Sequence, residues 1–530
     1  MVSVGNDLDQ RVRADIAVLG GGTAGAVVAG RLIENTSLSV VVVEAGPDYG
    51  PFDAGRWPHE LLDSSTLPQT HDWGYRGPGA TPGHDLPLDR ARVIGGCSSH
   101  NGCSQTVGHA ADYRTWGPSW TDASLTESMR HAAARLRVRR DSDDDLTPFQ
   151  AAAMEAMILC GVPRTDDLDD LFGGAGCGPS PVNNPDGVRW NSAFAYLDPV
   201  RDSLEPERSD RRLRVVDHAL VERLELHGSV VRRAHVRRGQ ERLTVEAERF
   251  ILCGGAYGSP EVLLRSGIGP ADELTALGVA PRLDLPGVGR NLHDHPTLEL
   301  RFAASEELAR RLADYERGRP VPDEQVIGKA LSAGGRAPYD LHLLPWTGKE
   351  PGGWTCVLPA ACLTPRSRGT LRLTSPDPGA RPLIDHAYLT DPDGSDLEVL
   401  RYGIDLCRRM AASPALAPLL GPPLDEFTAG WLNEFAKDPR DGLATDPSRG
   451  KPTGSREAAM RAAAAHYWHP VGTCAIGTDP AAGAVVDATG RLYGSDNLWV
   501  IDASIIPAIP RATTNLPVVA LAEHLARTLL

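Results

Sequence analysis

Three glycines near the start of the chain, Gly20, Gly22 and Gly25, stand in the spacing GxGxxG. Glycine at these positions lets a chain turn tightly, brings backbone up against a pyrophosphate and lets a helix pack closely on the strand before it, while the helix N-terminus offers free N–H groups to the anion. The elements needed to hold them are legible. Asp15 to Gly20 (DIAVLG) reads as a strand and Ala24 to Leu32 as a helix of small and apolar residues, so Thr23 and Ala24 open the helix beside the phosphates. A second strand, Leu38 to Val43, runs into Glu44 and Ala45. Glu44 follows Gly25 by 19 residues, the separation at which an acid accepts hydrogen bonds from a ribose diol. An acid there favours an adenine dinucleotide without a 2′-phosphate and leaves NAD and FAD both open.

The 530 residues carry 54 Lys plus Arg against 69 Asp plus Glu, a formal net charge of −15. That balance argues against nucleic acid or an anionic membrane as a partner. At 41% hydrophobic and 23% charged the chain can bury a large core, and its length points to two interleaved domains. No basic-then-apolar leader and no run of about 18 apolar residues occurs, so neither a signal peptide nor a membrane span is expected. Nine cysteines without a CxxC pair or a His–Cys ligand spacing fit a reducing cytoplasm and suggest no metal site.

Arg92 to Cys103 (RVIGGCSSHNGC) and Gly255 to Gly269 (GAYGSPEVLLRSGIG) resemble the two signature segments of the glucose–methanol–choline (GMC) oxidoreductases. NSAFAYL from Asn191, LPGVGRNLHDHP from Leu285, HPVGTC from His469 and IDASIIP from Ile501 agree in order and spacing, so the resemblance spans essentially the whole chain. It implies an α/β fold. A Rossmann-type FAD-binding domain would comprise residues 1–150, 206–296 and 470–530, and a discontinuous α+β substrate domain on an antiparallel sheet would comprise 151–205 and 297–469. It further implies FAD as cofactor, a small-molecule alcohol as substrate, and oxygen or another acceptor for the electrons. The oligomeric state stays open, a homodimer being one option.

Gly95 and Gly96 permit a backbone bend against a flat ring or phosphate, with Ser99, Asn101 and Gly102 beside it. Val215 to Leu224 and Glu248 to Gly254 read as strands. By resemblance Val221 contacts the adenine through its backbone, Gly254 ends the strand returning to the nucleotide, and Asp502 and Ala503 face the ribityl-pyrophosphate. Asn515 and Leu516 complete the flavin contacts. Choline-oxidising members share SSHN, which implies a covalent bond from His100 to the flavin 8α-methyl group. A histidine hydrogen-bonded beside a non-covalent flavin is the alternative.

Alcohol oxidation by a flavin needs a base for the hydroxyl proton and stabilisation of the oxyanion as hydride leaves for N5. His469 in YWHPVGTC resembles the family's active-site histidine, and Pro470 biases it towards extended backbone. His466 has no comparable motif and reads as structural. The partner position, usually His or Asn, falls on Thr513, which donates one hydrogen bond and carries no charge, so His469 would carry the base and oxyanion roles nearly alone, or Asn515 or His342 would move in to assist. Tyr467, Trp468, His342 and Trp346 are candidate pocket walls. Choline-oxidising relatives hold the ammonium with a glutamate. The aligned EQVIGK puts Val326 nearest that position and Glu324 two residues away, which disfavours choline. The reading is FAD-dependent oxidation of a primary alcohol to an aldehyde with oxygen as acceptor. Its alternatives are a dehydrogenase using another acceptor and a hydroxynitrile lyase in which no hydride moves.

Overall fold

Strands buried on both faces read as unbroken apolar runs, and β1 (Gln10–Leu19) and β2 (Val40–Val43) have that character where they pair in parallel. Between them α1 (Thr23–Asn35) buries Ala24 to Gly30, Leu32 and Ile33. The computed structural model describes residues 10–201, 212–433 and 454–529. The expected boundary at 205/206 and the first nine residues of the N-terminal stretch lie outside them.

On its other side β1 pairs in parallel with β3 (Glu241–Leu252), aligning Leu19 with Leu252, and Leu498–Val500 adds a further parallel strand to β3. The sheet is completed by Leu213–Val216 beside β2 and by Ala219–His227 and Val230–Arg238, antiparallel beyond β3. The single strand expected over Val215 to Leu224 is therefore two. His218 breaks it at φ 50°, so that the first half runs parallel to β2 and the second turns away into the antiparallel pair.

The second sheet is antiparallel throughout. Its order is Leu420–Pro423, β4 (Pro296–Ala304), Gly353–Cys362, Leu341–Leu343, Val326–Ala330 and Gly176–Pro179, with Trp346–Glu350 paired to Gly353–Cys362. Two segments far apart in sequence are zipped at its edge. His293 and Val471 exchange backbone hydrogen bonds of 3.2 and 3.0 Å, and Pro296 and Thr297 pair with His466 and Ala465.

The last helix, α2 (Asn515–Thr528), is buried from Leu516 to Ala526 and packs on α1. Its Glu523 lies wholly inside, paired with Arg31 and His131. No helix among the described residues is long and apolar enough to cross a membrane.

Candidate active site

One elongated cavity of about 510 Å³ runs from the glycine turn to His469, within the range of cofactor sites. At the first end the walls are backbone. A Cβ on Gly20, which sits at φ +109°, would lie 2.4 Å from the Cys253 carbonyl oxygen, and one on Gly25 would lie 1.9 Å from that of Gly20. These two glycines exist for close packing, and Gly25 does not reach the cavity. Gly22 does, and a Cβ there would meet only the Cα of Gly96 at 3.6 Å. Thr23 and Ala24 follow it on the wall, and no side chain caps the start of α1, so its N–H groups are open to an anion.

Glu44 and Ala45 line the same end with Val221 and Gly254. The Glu44 carboxylate accepts from the N–H groups of Gly21 and Gly46, each at 2.8 Å. Burial outweighs these bonds and pushes its pKa up to about 7. Asp502 and Ala503 form the next stretch, where Asp502 accepts from the Gly255 N–H at 2.8 Å and the Ser259 hydroxyl at 2.5 Å. An uncapped helix start, a glycine cradle and a buried acid at the ribose distance fit an adenine dinucleotide.

Further along, Gly95 (φ 82°) and Gly96 (φ 54°) turn the chain, and His100, Asn101 and Gly102 line the cavity. Gly95 and Ser99 do not: a Cβ on Gly95 would lie 2.5 Å from Ser99 Oγ, and the buried Ser99 hydroxyl donates to the Ile94 carbonyl. Their part is to shape the turn. His100 Nε2 lies 3.0 Å from the Thr70 carbonyl, which can only accept, so Nε2 carries the proton and Nδ1 is bare. Burial lowers its pKa and keeps the ring neutral. Leu516 is buried in α2 and does not line the cavity.

His469 closes the far end. Its main-chain N–H donates to Asp294 at 2.9 Å, and its Nδ1 lies 3.1 Å from Nδ1 of His295. Burial, reinforced by His295 and His342, holds its pKa well below the usual value, so the ring is a neutral base. Tyr467 stands beside it with ring centroids 4.6 Å apart, and Trp468, at φ 59° and 44% exposed, forms the rim. His466 does not line the cavity; its ring nitrogen reaches the Pro87 carbonyl at 2.6 Å.

Thr513 and Asn515 both line the cavity, yet their polar atoms are engaged elsewhere. Thr513 Oγ1 accepts from the Thr106 N–H and donates to the Ser104 carbonyl, both at 3.0 Å, and the Asn515 amide donates to Gln105. Two expected walls are displaced. His342 is fully buried behind the lining and packs on Tyr467, with neither ring nitrogen hydrogen-bonded among the described residues. Trp346 pairs with Val357 in the sheet and its ring faces the Arg301 guanidinium at 5.5 Å, so Leu344, before Pro345, takes the wall position. The glutamate expectation is also corrected: Val326 is buried in the strand, whereas Glu324 lines the cavity opposite Gly102.

Sequence reasoning missed Asp294 and His295 and set Glu324 aside. The polar atoms of Asp294, His295 and His469 all lie within 4.8 Å of one another. The available signal was HDHP itself, whose two histidines and acid precede a β-start and pair across to HPVG.

A Rossmann-type sheet, a dinucleotide cleft and a neutral histidine at its end define a dinucleotide-dependent oxidoreductase. The chain belongs to the GMC oxidoreductases, whose N-terminal part matches residues 14–297 and whose C-terminal part matches 365–522. It is an FAD-dependent enzyme acting on CH–OH donors. It is 32% identical to 5-(hydroxymethyl)furfural oxidase of Methylovorus sp. (strain MP688), over 97% of this chain and 98% of that one. Identity to choline oxidase of Arthrobacter globiformis is 29%, covering 97% and 93%. Among solved structures, pyridoxine 4-oxidase from Mesorbium loti superposes with a TM-score of 0.79 at 27% identity, covering 97% and 98%.

Proposed function

We propose that this enzyme oxidises a primary alcohol to an aldehyde with oxygen as the final acceptor, His469 taking the hydroxyl proton, and that FAD is bonded to His100. The observation that carries it is a neutral histidine opening onto the same cavity as the glycine cradle. When bound, FAD accepts the hydride at N5. Gly22, Thr23 and Ala24 would hold its pyrophosphate, Glu44 its adenosine ribose, and Asn101, Gly102 and Ala503 its flavin side. His469 stays unprotonated at working pH and receives the proton as hydride leaves carbon.

The walls suit a small uncharged or polyhydroxylated substrate. Burial and the adjacent Asp323 raise the Glu324 pKa well above its usual value, so it offers a hydrogen bond rather than a negative charge. Tyr467 lines the cavity with its ring, and its buried hydroxyl has no hydrogen-bond partner among the described residues. The relative named for 5-(hydroxymethyl)furfural and those named oxidases support a hydroxymethyl substrate and oxygen. All nine cysteines are free, which supports a reducing cytoplasm.

Anaerobic mixing with a panel of primary alcohols tests the reading. The flavin should bleach in the native enzyme, and His469→Ala should stay yellow and bleach at least about 100-fold more slowly. Equal rates, or no bleaching by any primary alcohol, would overturn it. Acid precipitation and intact mass test the attachment: native protein should retain one flavin dinucleotide, and His100→Ala should release it. Native protein of unmodified mass would remove the covalent bond and leave the oxidation reading standing.

A further inference from the structure

His295 and His469 meet head on. Their Nδ1 atoms are 3.1 Å apart and their ring centroids 5.3 Å, the separation left when both nitrogens lie on the line between the ring centres. Two bare nitrogens would repel at that distance and two N–H groups would clash, so one proton lies between them. Both rings are neutral, since burial depresses each of them and brings His295 to about 3. The carbonyls of Pro510 and Leu363 lie close enough to favour a proton on His295, although its Nε2 makes no full hydrogen bond among the described residues. Carbonyls only accept, and Nδ1 of His295 already faces His469, so that proton belongs on Nε2. His295 Nδ1 is then the acceptor and His469 Nδ1–H the donor.

From this arrangement, and resting on the reading of His469 as base, we propose that His295 is the positioning residue of the oxidation. It holds His469 in the Nδ1–H tautomer, leaves Nε2 bare for the substrate hydroxyl, and strengthens its hydrogen bond when His469 takes the proton. His295 is wholly buried and does not line the cavity, so it acts only through His469. The backbone bonds between His293 and Val471 and the Asp294 bond to the His469 N–H fix the two rings in this register. A carboxylate in the same place would orient the base equally well but would raise its pKa; a neutral imidazole orients it and keeps it deprotonated at lower pH. The other charged or titratable groups facing His469 are His342, Arg90 and His466, which all oppose its protonation, and Asp294 on its main chain.

The test compares His295→Leu, which removes the acceptor, with His295→Asn, whose carbonyl oxygen restores one. Flavin content and the pH profile of single-turnover flavin reduction are read for each. His295→Leu should keep its flavin, lose about 10- to 100-fold in limiting rate, and show an acid limb displaced from that of the native enzyme, because His469 loses the neighbour that acts on its protonation. His295→Asn should recover most of the rate. Nitrogen-15 histidine spectra of the unaltered holoenzyme give a reading independent of any folding defect, with His469 signals identified by their loss in His469→Gln. They should show a protonated Nδ1 and a bare Nε2. A Leu variant with native rate and profile, an Asn variant as slow as Leu, or a His469 protonated on Nε2 would each overturn the proposal. If His469→Ala is slow while His295→Leu is unaffected, only this inference fails; if His469→Ala is fast, the base assignment fails with it.

Discussion

At the dinucleotide end of the cavity the walls are mostly backbone, Gly20, Gly22 and the open start of α1, with Gly25 packed behind them and Glu44 as the acid. At the alcohol end they are side chains, His469, His295, Tyr467 and Glu324, carried by segments from three parts of the sequence. The first end is fixed by what is missing from each residue. The second is fixed by strand register, because a slip of one residue in the pairing of Pro296 with His466 would turn the facing side chains away from one another. A change should therefore act sterically at one end and chemically at the other.

The largest expected effect is steric. Gly25→Ala places a methyl 1.9 Å from the Gly20 carbonyl oxygen and should cost about 1–3 kcal/mol of stability and the bound flavin, measured by urea unfolding and flavin absorbance. Gly22→Ala meets only a 3.6 Å contact and should fold normally. Equal behaviour of the two would break the division between packing glycine and cradle glycine.

A pH experiment sets the two ends against each other on one scale. Glu44 and Asp294 are both buried acids with pKa values raised to about 7. Each holds its proton in the folded protein while the unfolded chain ionises at its ordinary value. Their contribution to apo-protein stability is thus fully present below that ordinary value and is lost as pH rises towards 7, by about 3 kcal/mol for Glu44. Glu44→Gln and Asp294→Asn should each flatten the fall. Urea midpoints across this window that match native protein in both variants would show that neither acid is protonated when folded.

The smallest effect is expected at Thr513. Its hydroxyl is occupied by Thr106 and Ser104, so Thr513→Asn should alter the flavin-reduction rate by only several-fold and leave flavin content unchanged. A hundredfold gain in single-turnover rate would mean that the native site lacks an oxyanion partner which the asparagine supplies.

The same division explains what could be read in the sequence. Gly20, Gly22, Gly25 and Glu44 belong to one strand–turn–helix–strand unit of about 30 residues, so local spacing carries their geometry. His469 was legible through its motif. His295 was not, because its role depends on a pairing across 174 residues, and no local period encodes that. Trp346 was placed on the wall by its type, and Pro345 with the strand that follows turned it to Arg301 instead. Glu324 sits two residues from the position alignment favoured, and only the backbone path before Val326 brings it to the cavity.

The Leu498–Val500 strand beside β3 sets a timetable. The first strand and the glycine turn leave the ribosome long before the strand that closes the sheet behind them, and α2, which covers α1, follows that strand. Contacts of such sequence separation form only after the intervening loop is closed, and that entropy is spent before the contact gives any return. The glycine turn therefore waits as a part without its counterpart until the Leu498–Val500 strand and α2 have been made.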